Sequence, residues 1–291
     1  WLTNAATQGD SHAQFFLGTL YLDGFDVLKD HKQALSWMIK AAEQGSVEAQ
    51  YRLGEIYYQG KYLAVNVAQA LVWFTKAAEQ DHPWAQKQLG LIYYKEEGNT
   101  KDNQQAFTWV SKAAEQGLST AQTILGQMYE DGVGVTANDQ QAARWYFKAA
   151  EQGNAGAQNS LGTLYVQGKG VPEDATLAIY WVSRAANQGD NVAQTNLADY
   201  YLEGVGVDQD YQQALEWYTK AAEQGDPWAQ NSIAEMYEKG LGVSQDYQQA
   251  IKWYQKSAEQ GFVVAQVYLG NLYELGKVVT QDYQQAFYWY L

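Results

Sequence analysis

Three stretches of the chain are built from the residue types that hold phosphates: GEIYYQGK from Gly54 to Lys61, GTLYVQGK from Gly162 to Lys169, and GNLYELGK from Gly270 to Lys277. A phosphate loop presents backbone N–H groups from a glycine-rich turn, needs four residues between its glycines, and needs Ser or Thr after the Lys to reach a metal. Here five residues separate the glycines, and Tyr62, Gly170 and Val278 follow the Lys. GVGV at Gly132 lacks the third glycine of a dinucleotide loop. The three His residues, His12, His31 and His82, have no pairwise spacing that would put two metal ligands on one helix. Carboxylates are plentiful, as at Glu235 and Glu238, one helical turn apart. Nothing in the sequence drives their pKa values apart, which acid/base work requires, so they read as a solvated acidic face. The expectation is a protein without catalytic residues, cofactor or metal, and not an enzyme.

The glycines have another explanation. The phrase AAEQGDPWAQ, Ala221 to Gln230, recurs in variants whose closing Gln falls at Gln14, Gln50, Gln86, Gln122, Gln158, Gln194, Gln230 and Gln266, always 36 residues apart. Trp keeps the same interval at Trp1, Trp37, Trp73, Trp109, Trp145, Trp181, Trp217, Trp253 and Trp289. A fixed period in the range of roughly 20–50 residues marks a solenoid or similar array. The register gives a partial repeat over 1–9, repeats over 10–45, 46–81, 82–117, 118–153, 154–189, 190–225 and 226–261, and a truncated repeat over 262–291, all in one elongated body. The chain thus opens and closes inside a repeat, as a fragment would.

Each unit reads as helix, turn, helix. Asp226 before Pro227 is an N-cap followed by proline at the first helical position, with equivalent caps at Asp10, Ser46, Asn154 and Asp190. GLGVSQD ends the first helix on glycines and closes on Asp246; Asp or Asn recurs there at Asp30, Asn66, Asp102, Asn138, Asp174, Asp210 and Asp282, the acceptor a second helix needs at its start. At about 100° per residue, Ala229, Gln230, Ile233, Ala234 and Tyr237 share one stripe of the first helix, and Ala250, Trp253, Tyr254, Ser257 and Ala258 one stripe of the second. One hairpin cannot bury both, so stacked neighbours must. A Gln inside every first stripe needs a partner, expected to be backbone in an adjoining turn or helix.

This pattern, AAEQG…AQ..LG..Y..G.GV..D...A..WY.KAA, resembles the Sel1-like repeat family, relatives of tetratricopeptide repeats, over the whole chain. The resemblance implies an all-α, right-handed superhelical solenoid of antiparallel helix pairs, about eight repeats, with first helices lining the concave side. It also implies a non-enzymatic protein–protein interaction scaffold, holding a protein or peptide, including a host protein, in its groove. A bacterial exported, periplasmic or envelope setting follows from the same resemblance, with virulence-type host contact as its specific form. The alternative is an envelope assembly scaffold acting through oligomerisation.

Composition limits the partners. Lys and Arg number 19 against 33 Asp and Glu, a net charge of −14, which repels nucleic acid and anionic membrane. No apolar run approaches the roughly 18 residues of a membrane span. There is no Cys, hence no disulfide and no thiol nucleophile.

If periodic residues hold the stack, specificity belongs to those that break the period. On the first helices these lie opposite the apolar stripe, at the positions of Trp228, Asn231, Glu235, Glu238 and Lys239. The candidate partner-binding set is Phe15, Leu22, Tyr51, Glu55, Tyr58, Trp84, Leu91, Tyr94, Trp228 and Glu235. Along the chain this face runs from aromatic through Thr120, Thr123, Asn159 and Thr163 to acidic at Asp199, Glu235, Glu238 and Glu274, which suits a peptide with apolar anchors and basic residues. Trp84 and Trp228, off the 36-residue interval but in one slot, admit two readings: anchors for a ligand, or covers over a neighbouring helix's first turn. The third copy departs from the pattern, with Asp81 for the terminal Gly and KEEGNTKD for its linker, and the second copy's GKYLAVN is irregular; local bends are expected at both.

Overall fold

The structure is a computed structural model that describes residues 1–25, 28–95, 103–276 and 278–291. The linker residues 96–102, including the cap position Asp102 and the bend expected there, lie outside the described residues, as does Lys277. The described residues form seventeen helices: α1 (Leu2–Thr7), α2 (Ser11–Asp23), α3 (His31–Glu43), α4 (Val47–Gln59), α5 (Val67–Glu79), α6 (Pro83–Lys95), α7 (Asn103–Glu115), α8 (Ser119–Asp131), α9 (Asp139–Glu151), α10 (Ala155–Gln167), α11 (Ala175–Asn187), α12 (Asn191–Glu203), α13 (Tyr211–Glu223), α14 (Pro227–Lys239), α15 (Tyr247–Glu259), α16 (Val263–Leu275) and α17 (Tyr283–Tyr290). This is an all-α repeat solenoid, falling into two compact units, Trp1–Trp145 and Tyr146–Leu291.

The caps set where helices start. Asp10 Oδ1 accepts from the Ala13 amide at 2.7 Å, Asp226 Oδ1 from that of Ala229 at 2.8 Å, and Ser46, Asn154 and Asp190 do the same for their own helices. At the second helices Asp30, Asn66, Asn138, Asp174, Asp210, Asp246 and Asp282 cap in the same way. The backbone N–H of each of these also donates to the carbonyl of a Tyr nine residues earlier, as Asp30 does to Tyr21 at 3.1 Å and Asp246 to Tyr237 at 2.9 Å. That bond folds the second helix back along the first. Small residues then let the two approach: a methyl group at Gly18 would sit 2.7 Å from Met38 Cγ and 3.0 Å from the Ala34 carbonyl oxygen.

The recurring Gln joins one hairpin to the next. Gln50 Nε2 donates to the Ala42 carbonyl at 3.0 Å, at the end of the preceding second helix, and its Oε1 accepts from Gln80 Nε2 at 2.8 Å, at the end of its own. Gln14, Gln86, Gln158, Gln194 and Gln230 repeat both bonds. All are buried, and Gln86 and Gln158 completely. The expected backbone partner is found, together with a second Gln that the sequence reading did not anticipate. The periodic Trp packs where hairpins meet, as Trp253 does on the cluster that joins Tyr218 of the preceding hairpin to Ile233 of its own, while a cation three residues on covers its ring: Lys76 lies 4.4 Å from the Trp73 ring centroid and Lys256 4.0 Å from that of Trp253.

Two irregular places are resolved by packing. Asp81, in place of the terminal Gly, keeps the left-handed backbone with φ 63°, and its Oδ1 accepts from Gln86 Nε2 at 3.3 Å. In the second linker Tyr62 lies over His31, with ring centroids 4.7 Å apart, and Leu63 joins the core beside it.

Candidate functional site

The variable face of the first helices is part surface and part interior. In the first unit Phe15 is half-buried against the core around Leu53. Tyr51 and Tyr58 are half-buried around the Phe74 ring, with centroids 6.0 and 6.4 Å from it. The Tyr51 hydroxyl donates to Glu55 Oε1 at 2.8 Å, and Arg52 Nη1 to Glu55 Oε2 at 3.0 Å. Burial, and then the Glu55 carboxylate, push the Tyr51 hydroxyl above the ordinary phenol range, so it remains a donor. Trp84 stands out at 42% exposure, with Lys87 Nζ 4.8 Å from its ring centroid. Leu22 is a correction to the sequence reading: at 2% exposure it belongs to the core around Met38 and offers a partner no surface. A wheel drawn for one helix does not show that the second helix also covers the flank on which Leu22 lies.

His82 stacks on Tyr51, centroids 4.5 Å apart, and its Nδ1 accepts from the Ala85 amide at 3.2 Å, capping α6 where five other copies use Asp, Ser or Asn. Burial lowers its pKa, with Glu48 and Glu55 acting in opposition. Protonated Nδ1 cannot accept, so the stability this His contributes is present above the unfolded pKa of about 6.5 and is lost as pH falls through the lower folded value. Urea titrations at pH 7.5 and 5 should show His82→Asn, which caps without titrating, losing about 0.5–1 kcal/mol less than the parent over that interval.

Leu91 and Tyr94 are brought together with Gly90, Val110, Ile124, Gln127, Met128, Asp131 and Val133 around a pocket of about 200 Å3. Of these the sequence reading singled out only Leu91 and Tyr94. The signal that would have found the rest is Val110, a small residue where Phe74, Tyr218, Tyr254 and Tyr290 stand in other copies.

In the second unit Trp228 is 53% exposed, its ring edge-on to Phe262 at 5.7 Å. It therefore packs on the residue that starts the next first helix, as the covering reading expects, while half of it stays exposed. Glu235 accepts from Asn231 Nδ2 at 3.1 Å and from Lys239 Nζ at 2.8 Å. Asn231 itself is buried, as is Thr195 at the equivalent position.

The acidic gradient is largely spent inside the hairpins. The Tyr254 hydroxyl donates to Glu238 Oε2 at 2.9 Å and that of Tyr290 to Glu274 Oε2 at 2.8 Å; Tyr218 donates to Asp199. A Tyr in the second helix accompanies an acid facing it in the first. Burial raises the Asp199 pKa to about 6, with the Tyr218 hydrogen bond opposing and Glu203 and Asp226 adding to the rise. Its sign is opposite to that of a salt-bridged carboxylate: the stability it contributes is full below the unfolded value of about 4 and is lost as pH rises through about 6. The stability of Asp199→Asn relative to the parent should therefore improve by about 1–3 kcal/mol between pH 4 and pH 7.5, read as the change in the difference between urea midpoints.

Among the described residues no group of three or more His, Cys, Asp or Glu is placed to hold a metal, and no helix is long and apolar enough to cross a membrane.

A family profile described as Sel1 repeat matches residues 11–46, 47–82, 85–118, 119–154, 155–190, 191–226, 229–262 and 263–291. No curated protein matches the chain. Among solved structures, a protective antigen present in uropathogenic Escherichia coli strains and displaying an SLR fold aligns with a TM-score of 0.86 and 40% identity over 99% of this chain; the chain spans 62% of that protein's length. A Sel1 repeat protein from Oxalobacter formigenes aligns with a TM-score of 0.78 and 37% identity over 93% of this chain and 78% of its own. Sel1 repeats are, as a class, non-catalytic protein-interaction scaffolds. With eight repeats in register, the Gln and Trp of each repeat holding its neighbour, and two bacterial proteins of that fold sharing more than a third of its residues, the chain belongs to the Sel1 repeat family.

Proposed function

We propose that the protein is a binding scaffold that holds a protein or peptide partner on the variable face of its first helices, through Phe15, Tyr51, Glu55, Tyr58, Trp84, Leu91, Tyr94, Trp228 and Glu235. The observation that carries this reading is the exposure of Trp84 and Trp228 at 42% and 53% on a face whose residues change from copy to copy, while the residues that join hairpins stay constant. Trp is enriched among the few residues that carry most of the binding energy at protein interfaces. An exported bacterial protein in contact with a host is the setting in which this scaffold acts, a reading supported by the description of the Escherichia coli relative as a protective antigen.

The test is partner capture with three baits: the parent, Trp84→Ala with Trp228→Ala, and Glu216→Lys, which alters an exposed residue of a second helix. The double variant should retain at least about tenfold less of the partner and Glu216→Lys as much as the parent. The opposite pattern would remove the face assignment. Association of the free protein that grows with concentration, without partner capture, would favour assembly through oligomerisation.

A further inference from the structure

The pocket bounded by Leu91, Tyr94, Val110, Ile124 and Met128 is an unfilled place in a repeating design. Next to the Gly or Ala that follows Leu or Ile in each first helix the chain normally sets a large side chain: Met38, Phe74, Tyr218 and Tyr254 are all buried there. Two copies carry Val instead, Val110 and Val182. Beside Val182 the following helix supplies Tyr200, a half-buried ring that packs on the Val182 cluster. Beside Val110 the residue equivalent to Tyr200 is Met128, which has no ring, and the space stays open.

We infer that this pocket is a subsite for a phenylalanine side chain of a partner peptide, flanked in that peptide by basic residues. The inference rests on the binding-scaffold reading above and names what one part of that face recognises. The shape is that of a missing ring, since a ring of this chain fills the corresponding place beside Val182. The floor is Gly90, Val110 and Met128, all buried and without an oxygen or nitrogen in their side chains. A tyrosine entering from outside would bury its hydroxyl there unpaired, a cost that selects phenylalanine. The mouth carries Gln127 and Asp131, both exposed, on a chain of net charge −14, so residues beside the ring gain from positive charge.

The probes are toluene, followed through the methyl signals of Ile124 and Met128, and the capped peptides Arg-Phe-Arg, Arg-Tyr-Arg, Arg-Ala-Arg and Glu-Phe-Glu. Val110→Phe fills the pocket with a residue that the second copy already accommodates against its glycine, as Phe74 beside Gly54. Ile124→Trp, at a half-buried position, closes the mouth without touching the floor and serves if the first variant fails to fold. Toluene should shift the parent's signals and leave those of a folded filled variant in place. Arg-Phe-Arg should bind about tenfold or more tightly than each of the other three, and its advantage over Glu-Phe-Glu should shrink in Asp131→Asn. Toluene shifts that survive in both filled variants, no shifts in the parent, equal binding of Phe and Tyr peptides, or equal binding of Arg- and Glu-flanked ones would each overturn the proposal. Partner capture separates it from the wider reading. Capture that survives Val110→Phe but not Trp84→Ala with Trp228→Ala removes the subsite and keeps the scaffold; capture that survives both removes the two together.

Discussion

Replacing Gln158 by Leu is expected to cost about 1–3 kcal/mol, a large effect for one uncharged polar side chain. Gln158 is fully buried; its Nε2 donates to the Ala150 carbonyl at 3.0 Å and its Oε1 accepts from Gln188 Nε2 at 2.7 Å. Leu nearly conserves volume, so the loss is polar rather than a cavity. The Ala150 carbonyl keeps the Gly153 amide at 3.0 Å but loses its second donor in a place water does not reach, whereas the Gln188 amide sits at an exposed position and recovers water. Gln188→Ala alone should therefore cost less, about 0.5–1 kcal/mol, and the double variant should cost less than the sum of the two. Urea unfolding followed by Trp fluorescence measures all three. Equal costs for Gln158→Leu and Gln188→Ala would mean that the Gln pair is a surface contact and that the hairpins are held by apolar packing alone.

That Gln shows what the sequence makes legible. Its period, its place inside an apolar stripe and its need for a partner could all be read from one helix wheel and a count of 36, and so could the caps at Asp10 and Asp246. Features that depend on two helices at once were not visible that way. Leu22 and Asn231 sit on the flank of a first helix that other elements also cover, and a single wheel assigns that flank to solvent. Met236 was missed for the same reason: it is 1% exposed, in the core around Tyr218 and Ile233. Glu238 and Glu274 read as free charge until Tyr254 and Tyr290 are seen 16 residues on, with their hydroxyls on those carboxylates. Comparing copies at the two positions together, acid with Tyr, would have exposed the pairing. The pocket beside Val110 needed three positions together, since the equivalent of Met128 decides whether a gap left by Val is filled.

The second large effect is expected from Gly206→Ala, at about 2–4 kcal/mol, for a reason that lies in the backbone. Gly206, the second glycine of the GVGV linker, has φ 69°, where a side chain is strained. The linker there passes over the start of α11, in the preceding hairpin: an added Cβ would lie 2.8 Å from the Ala175 carbonyl carbon, 3.1 Å from the Ala175 Cβ and closer still to the carbonyl oxygen. These are backbone atoms at a helix start, with a Cβ fixed to them, and cannot swing aside, so the linker itself must lift. A methyl at Gly54 meets a different obstacle, the Phe74 ring, and the sixth and seventh copies already place Ala198 and Ala234 at that position against Tyr218 and Tyr254. Gly54→Ala should thus cost about 1–2 kcal/mol, less than Gly206→Ala although both glycines recur with the repeat. The second copy, with Tyr62 at the position of Gly206, shows how the repeat proceeds without the glycine: its linker is held by the Tyr62 ring on His31 instead of by backbone contact. If thermal unfolding ranked the two variants the other way, close passage of the linker over the preceding hairpin would not be what stabilises the stack at that point.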